Sequence, residues 1–146
     1  LNYADMADAA AEIGFDGVDL TVRPKGHVLP ERVADDLPKA VEAIRHAGLS
    51  HALITTAVQD AGNRTDQNVL ETAAKTGVEF YRMNWFSYPE HKTIPEAVEE
   101  FQQTIKAMGA LSSKLGIVGC YQNHSGNLAG ATKELAIGTR CRRANC

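Results

Sequence analysis

The chain has 146 residues, 44% of them hydrophobic and 23% charged, which suits one globular core and is too short for two comfortable domains. A formal net charge of −3 and a pI near 5.9, with acidic and basic residues interleaved, argue against nucleic acid as a partner. Apolar runs such as residues 117–120 fall far below the roughly 20 residues of a spanning helix, the first residues lack the form of a signal peptide, and the odd count of cysteines (Cys120, Cys141 and Cys146) suggests reduced thiols, so the expectation is a cytoplasmic chain without a membrane segment.

In chain order, Asn2 fits the cap of a first helix that has Asp5 in its first turn and Met6, Ala9, Ala10 and Ile13 at helical spacing before Gly14. Residues 17–22 are short, branched and bounded by Gly17 and Pro24, so they read as a strand, and 23–27 as a polar loop. The spacing predicts a helical turn over 31–36 and a main second helix starting at Pro38, with Val41, Ile44 and Ala47 on one face before Gly48. Residues 51–58, rich in Leu53, Ile54, Thr55, Thr56 and Val58, predict the next strand. Thr65 or Asp66 is the expected cap of a third helix that buries Val69, Leu70, Ala73 and Ala74 and stops at Gly77. A strand is then predicted over 78–85. Thr93, Ile94, Pro95 and Glu96 match a capping box with an early proline, and Val98, Phe101, Ile105, Met108 and Leu115 keep helical spacing up to Gly116. A last strand is expected over 117–122.

Helices alternating with strands too far apart for hairpins specify parallel pairing and an α/β fold. An open doubly wound sheet would usually place a Gly-rich phosphate turn after its first strand, and no such motif occurs. A barrel instead collects polar groups where strands give way to loops. Arg23 and His27, Thr55 and Thr56, Arg82, Asn84 and Trp85, and then Gln122, Asn123 and His124 all fall there, so in a barrel they would share one pocket.

Two segments, Ala10-Ala11-Glu12-Ile13-Gly14-Phe15-Asp16-Gly17-Val18-Asp19-Leu20 and Val118-Gly119-Cys120-Tyr121-Gln122-Asn123-His124-Ser125-Gly126, resemble the sugar phosphate isomerase/epimerase group of the xylose-isomerase-like TIM barrels. So does the loop over 23–31. The resemblance spans residues 1–130 and implies a partial (β/α) barrel carrying strands two to five with their intervening helices. It also implies a metal-dependent isomerase or epimerase acting on a small sugar, sugar phosphate or polyol, in which Mn, Mg, Co or Zn polarises a carbonyl while a carboxylate moves the neighbouring proton. Members hold the metal with a glutamate, an aspartate, a histidine and a second glutamate. Only the first position lies in this chain, and it matches Gln122, a neutral amide that binds a hard cation more weakly than a carboxylate. Residues 131–146, with three arginines and two cysteines over 140–146, depart from the family and are expected to be an atypical tail of non-family origin.

The substrate-binding candidates are Arg23, His27, Arg82, Trp85 and His124; no catalytic base is assigned. His124 shares a strand face with Gln122, which fits a metal or substrate contact as well as a loop cap. His27 fits a hydroxyl or phosphate contact, or a solvated loop residue. Arg23 and Arg82 fit a bidentate grip on a substrate, while Arg82 fits equally a pair with Asp19. Trp85 fits stacking on a sugar ring or packing at the rim. Rival functions are an AP endonuclease-like hydrolase and a noncatalytic fragment that associates with itself through open sheet edges.

Overall fold

A computed structural model describes residues 2–124 and Asn127; the tail over 131–146 lies outside them. Helix α1 (Tyr3–Ile13) starts where the Asn2 side chain accepts the Asp5 N–H and ends at Gly14, whose φ of 92° is left-handed. Strand β1 (Leu20–Val22) follows, then a single 3₁₀ turn (Pro30–Arg32) that runs into α2 (Val33–His46). Next come β2 (Leu53–Thr56), α3 (Arg64–Lys75), β3 (Phe80–Arg82), α4 (Ile94–Leu115) and β4 (Val118–Cys120). The regular strands are shorter than the expected ones.

Two expected starts move. Helix α2 does not begin at Pro38 but five residues earlier, with Pro38 inside it. Proline removes one hydrogen bond there, yet the buried row Val33, Leu37, Ala40, Val41 and Ile44 carries the helix across the gap. Arg32 and Asp36 also pair across the first turn, Nε to Oδ2 at 2.7 Å. The α3 cap is Asn63, whose side chain accepts the N–H groups of Thr65 and Asp66. Asp66 is turned the other way and accepts from Gln59 N and Asp60 N, tying down the preceding loop.

All three strand pairings are parallel, and the order β1-β2-β3-β4 follows the sequence. A doubly wound sheet reverses its order at a switch point; this one never does, and its helices pack as a chain of neighbours, α1 on α2, α2 on α3 and α3 on α4. That is an arc of a barrel, with one layer of helices outside.

Registration divides the sheet into two faces. Leu20, Ile54, Tyr81 and Gly119 are in register and face the helices. There Tyr81, 1% exposed, shares a hydrogen bond with Ser112 Oγ of α4 at 2.8 Å, and Ser112 in turn donates to Met108 O. A Cβ on Gly119 would lie 2.7 Å from the Tyr81 hydroxyl, so glycine is what lets the phenol reach α4. The concave face carries a lower row, Leu53, Phe80 and Val118, and an upper row, Thr21, Thr55, Arg82 and Cys120.

Candidate functional site

Strand alternation decides which polar groups reach the concave face. Thr55 lies on it, beside Arg82 in register. Thr56, expected in the same pocket, points the other way: it is 1% exposed, and its hydroxyl donates to Arg82 O and accepts Val58 N–H. Thr56 therefore fixes the strand end rather than lining a site.

A polar chain crosses the upper row. Thr55 Oγ1 donates to Asp19 Oδ2 at 2.8 Å and lies 3.4 Å from Arg82 Nε, which donates to it. Arg82 and Asp19 are thus linked through a hydroxyl, and no ion pair joins them among the described residues. The guanidinium lies over the Trp85 ring, 4.6 Å from its centroid, a favourable contact with the aromatic face. Trp85 Nε1 donates to Gln122 O, and its ring lies 4.8 Å from that of His124 at an interplanar angle of 51°. Arg82, Trp85, Gln122 and His124 therefore come together in one cluster at the ends of β3 and β4. Arg82 Nη1 is buried and has no hydrogen-bond partner among the described residues. A buried guanidinium donor without an acceptor is costly.

His27 is placed one strand away by the turn after β1. Its Nδ1 lies 2.7 Å from Thr21 Oγ1 and accepts the Thr21 N–H at 3.4 Å, while its own N–H donates to Thr21 Oγ1. These bonds tie Nδ1 to the turn and leave Nε2 as the ring nitrogen available to a ligand. Gly26 is required here, because a Cβ would lie within 3.0 Å of Thr21 O, Arg23 O and Thr21 Oγ1. Arg23 is exposed and its side chain joins no described residue in the cluster. Thr21 does not stand out in the sequence; alternation from Asp19 and the polar turn after β1 carry the signal.

The loop after β3 is held by aromatic packing. Phe86 stacks on Tyr121 at 5.9 Å with planes 15° apart and lies 5.0 Å from Phe101, which also contacts Tyr88. Phe86 N–H donates to the Tyr121 hydroxyl, and Ser87 Oγ to Asn127 Oδ1. Burial pushes the phenols of Tyr81 and Tyr121 above their ordinary range, so both stay protonated.

Among the described residues no group of three or more His, Cys, Asp or Glu side chains is placed to hold a metal. Gln122 carries a neutral amide, and its backbone carbonyl is the acceptor for Trp85. The described residues do not by themselves make a metal centre. No described helix is long and apolar enough to cross a membrane.

No protein-family model and no curated protein matches the sequence. Solved structures do. Over 92% of its length the chain matches the apo form of 3-keto-D-glucoside 4-epimerase from E. coli, with a TM-score of 0.67 at 14% identity and 59% of that chain covered. It matches equally, at a TM-score of 0.67, 13% identity and 92% coverage, a xylose isomerase-like TIM barrel protein from Mycobacterium smegmatis in complex with magnesium, of which it covers 50%. With D-allulose 3-epimerase from Methylomonas sp. in complex with D-allulose, the TM-score is 0.58 at 12% identity, covering 86% of this chain and 46% of the other. At such identities the likeness shows the fold alone: four consecutive parallel strands, with their helices, arranged as in part of a TIM barrel. The chain spans about half the length of the structures it matches.

Proposed function

We propose that this chain forms half of a sugar isomerase or epimerase barrel, and that the cluster at its strand ends is half of a pocket for a small sugar, sugar phosphate or polyol. The observation that carries this is Arg82, whose buried Nη1 has no acceptor among the described residues, while its Nε donates to Thr55 and its guanidinium lies over the Trp85 ring. A donor preorganised in this way gains an acceptor from a hydroxylated or anionic ligand without first having to be ordered. His27 Nε2 and Arg23 approach from the β1 side, and His124 and the rim of Trp85 from the β4 side. Small sugars bound by or named for the solved neighbours support that ligand class.

The magnesium in one neighbour supports a divalent metal in the complete barrel. Gln122 would supply one of its oxygens, and the carboxylates that bring charge would have to come from elsewhere. No proton-transfer step is assigned to residues of this chain. The reading also includes self-association through open edges of the parallel sheet.

Trp85 is the sole tryptophan and touches both Arg82 and His124, so its fluorescence reports on the cluster. Titration with D-allulose is expected to give a saturable change that Arg82→Met abolishes. No saturable change with D-allulose or with a panel of ketohexoses and polyols would sink the proposal. Turnover by this chain with added Mn²⁺ or Mg²⁺ is expected to be undetectable, because one neutral ligand cannot hold and charge-balance the ion; metal-dependent turnover would refute that part.

A further inference from the structure

The turn after β1 does more than bring His27 to the strand end: its hydrogen bonds admit only one neutral form of the imidazole. On the outer edge of β1 the Thr21 carbonyl accepts Val28 N–H, and Thr21 N–H donates to His27 Nδ1 at 3.4 Å. A main-chain N–H can only donate, so Nδ1 has to offer it a lone pair. Thr21 Oγ1 accepts His27 N–H at 3.0 Å and lies 2.7 Å from Nδ1, which leaves its own proton to point at that nitrogen. All three bonds are satisfied together only when Nδ1 carries no proton. A proton on Nδ1 would meet the Thr21 N–H head-on and leave the Thr21 hydroxyl proton without an acceptor among the described residues. The bond made by one ring nitrogen sets which nitrogen of a neutral histidine is protonated.

Resting on the pocket proposed above, we infer that Thr21 is a positioning residue that holds neutral His27 as the Nε2–H tautomer, so that the β1 end of the pocket donates a hydrogen bond to a ligand oxygen. This decides what His27 can do. A protonated Nε2 has no lone pair, so neutral His27 neither ligates a cation nor takes up a proton there; it donates. The next strand repeats the arrangement. Thr55, in register with Thr21, gives its hydroxyl proton to Asp19 Oδ2 and so turns a lone pair to Arg82 Nε. Two threonines of one row thus each fix the direction of a donor, and His27 Nε2–H and Arg82 Nη1 both call for an acceptor. A ligand that answers both presents oxygen atoms at two places, as a sugar does.

Long-range proton–nitrogen correlation spectra of the whole, isotope-labelled chain test this in alkaline buffer, where imidazole is neutral. His27→Asn identifies the His27 signals by their loss. Wild-type His27 is expected to show a fully unprotonated Nδ1 and a fully protonated Nε2, whereas the exposed His91 should show the averaged shifts of two exchanging tautomers. Thr21→Val is expected to move His27 toward those averages, and Thr21→Ser, which keeps the hydroxyl, to retain the wild-type pattern. Thr21→Ala repeats the measurement should Thr21→Val not fold. Added D-allulose is expected to shift the wild-type Nε2 signal. A protonated Nδ1, or an averaged pair, in the wild type overturns the tautomer, and a wild-type pattern in the variants without a hydroxyl overturns the role of Thr21. If D-allulose changes Trp85 fluorescence but leaves Nε2 unmoved, the donor role is overturned while the pocket stands. If it changes neither, the pocket reading itself fails, and the donor role with it.

Discussion

The two faces of the four-stranded sheet are built from the same short strands and follow opposite rules. Toward the helices, Leu20, Ile54 and Tyr81 are each 1% exposed, and the one phenol among them is satisfied by Ser112. Toward the concave side, Leu53, Phe80 and Val118 are 37% to 52% exposed, polar groups hold each other in a chain, and Arg82 Nη1 has no partner among the described residues. The contrast separates what holds the fold together from what is left for a ligand or a partner. A barrel strand spends every second residue on each task.

The largest test of this contrast uses two adjacent residues. Ile54→Ala removes a side chain packed under the helices and is expected to cost about 2–5 kcal/mol. Leu53→Ala, one position earlier but 37% exposed on the concave side, is expected to cost under about 1.5 kcal/mol in the monomer, since much of its surface is already in water. Chemical denaturation of both variants at a concentration that keeps the chain monomeric makes the comparison. Equal losses would show that the concave row contributes as much to the fold as the core does.

A smaller effect is expected where the helix-facing side depends on glycine. Gly119→Ala would place a Cβ 2.7 Å from the Tyr81 hydroxyl and 2.9 Å from Cζ, and the ring cannot swing away without breaking its bond to Ser112. The expected loss is about 1–3 kcal/mol, as for other overpacked sites. Tyr81→Phe alone forfeits one hydrogen bond, on the order of 1 kcal/mol, but it also removes the nearest clashing atom. The double variant should therefore be more stable than the sum of the two losses implies. Strict additivity would mean that β4 shifts freely to make room.

Sequence periodicity makes the helix-facing side readable, because burial at every second strand residue and every third or fourth helix residue leaves a pattern. Gly14, Gly77 and Gly116 mark helix ends in the sequence and are left-handed in the structure. The start of α2 is less legible: Pro38 looks like a first-turn residue, and only the buried row beginning at Val33 overrides it. Asn63 competes with Thr65 and Asp66, three good capping types in four residues, of which only geometry selects one. On the concave side, strand-end position alone picks out Arg82, Trp85 and His124, but their meeting depends on contacts between β3 and β4 that no local pattern encodes. Nor does any local pattern show that His27 Nδ1 serves the turn. That bond depends on the tight path at Gly26, where the chain folds back on Thr21.

The smallest effect concerns the loop that joins the two faces at the start of α4. There the Glu96 carboxylate accepts from both Thr93 Oγ1 and Thr93 N–H, at 2.6 and 2.9 Å, and these bonds, the hydroxyl first, hold its pKa below the ordinary glutamate range. A carboxylate lowered in the folded state contributes stability that is complete above its unfolded pKa, about 4.3, and that is lost as the pH falls through that value toward the folded one. Asp36 behaves alike through its bond to Arg32. Glu96 is exposed and Asp36 pairs with an exposed Arg32, so the effect is small and screened by salt. Helical circular dichroism should thus decline gently below about pH 4.3. Glu96→Gln should remove part of that decline while leaving the concave cluster untouched, as the fluorescence of Trp85 would report. A Trp85 signal that follows the titration of Glu96 would instead mean that the α4 cap and the strand-end cluster move together, and that the two faces are not independent.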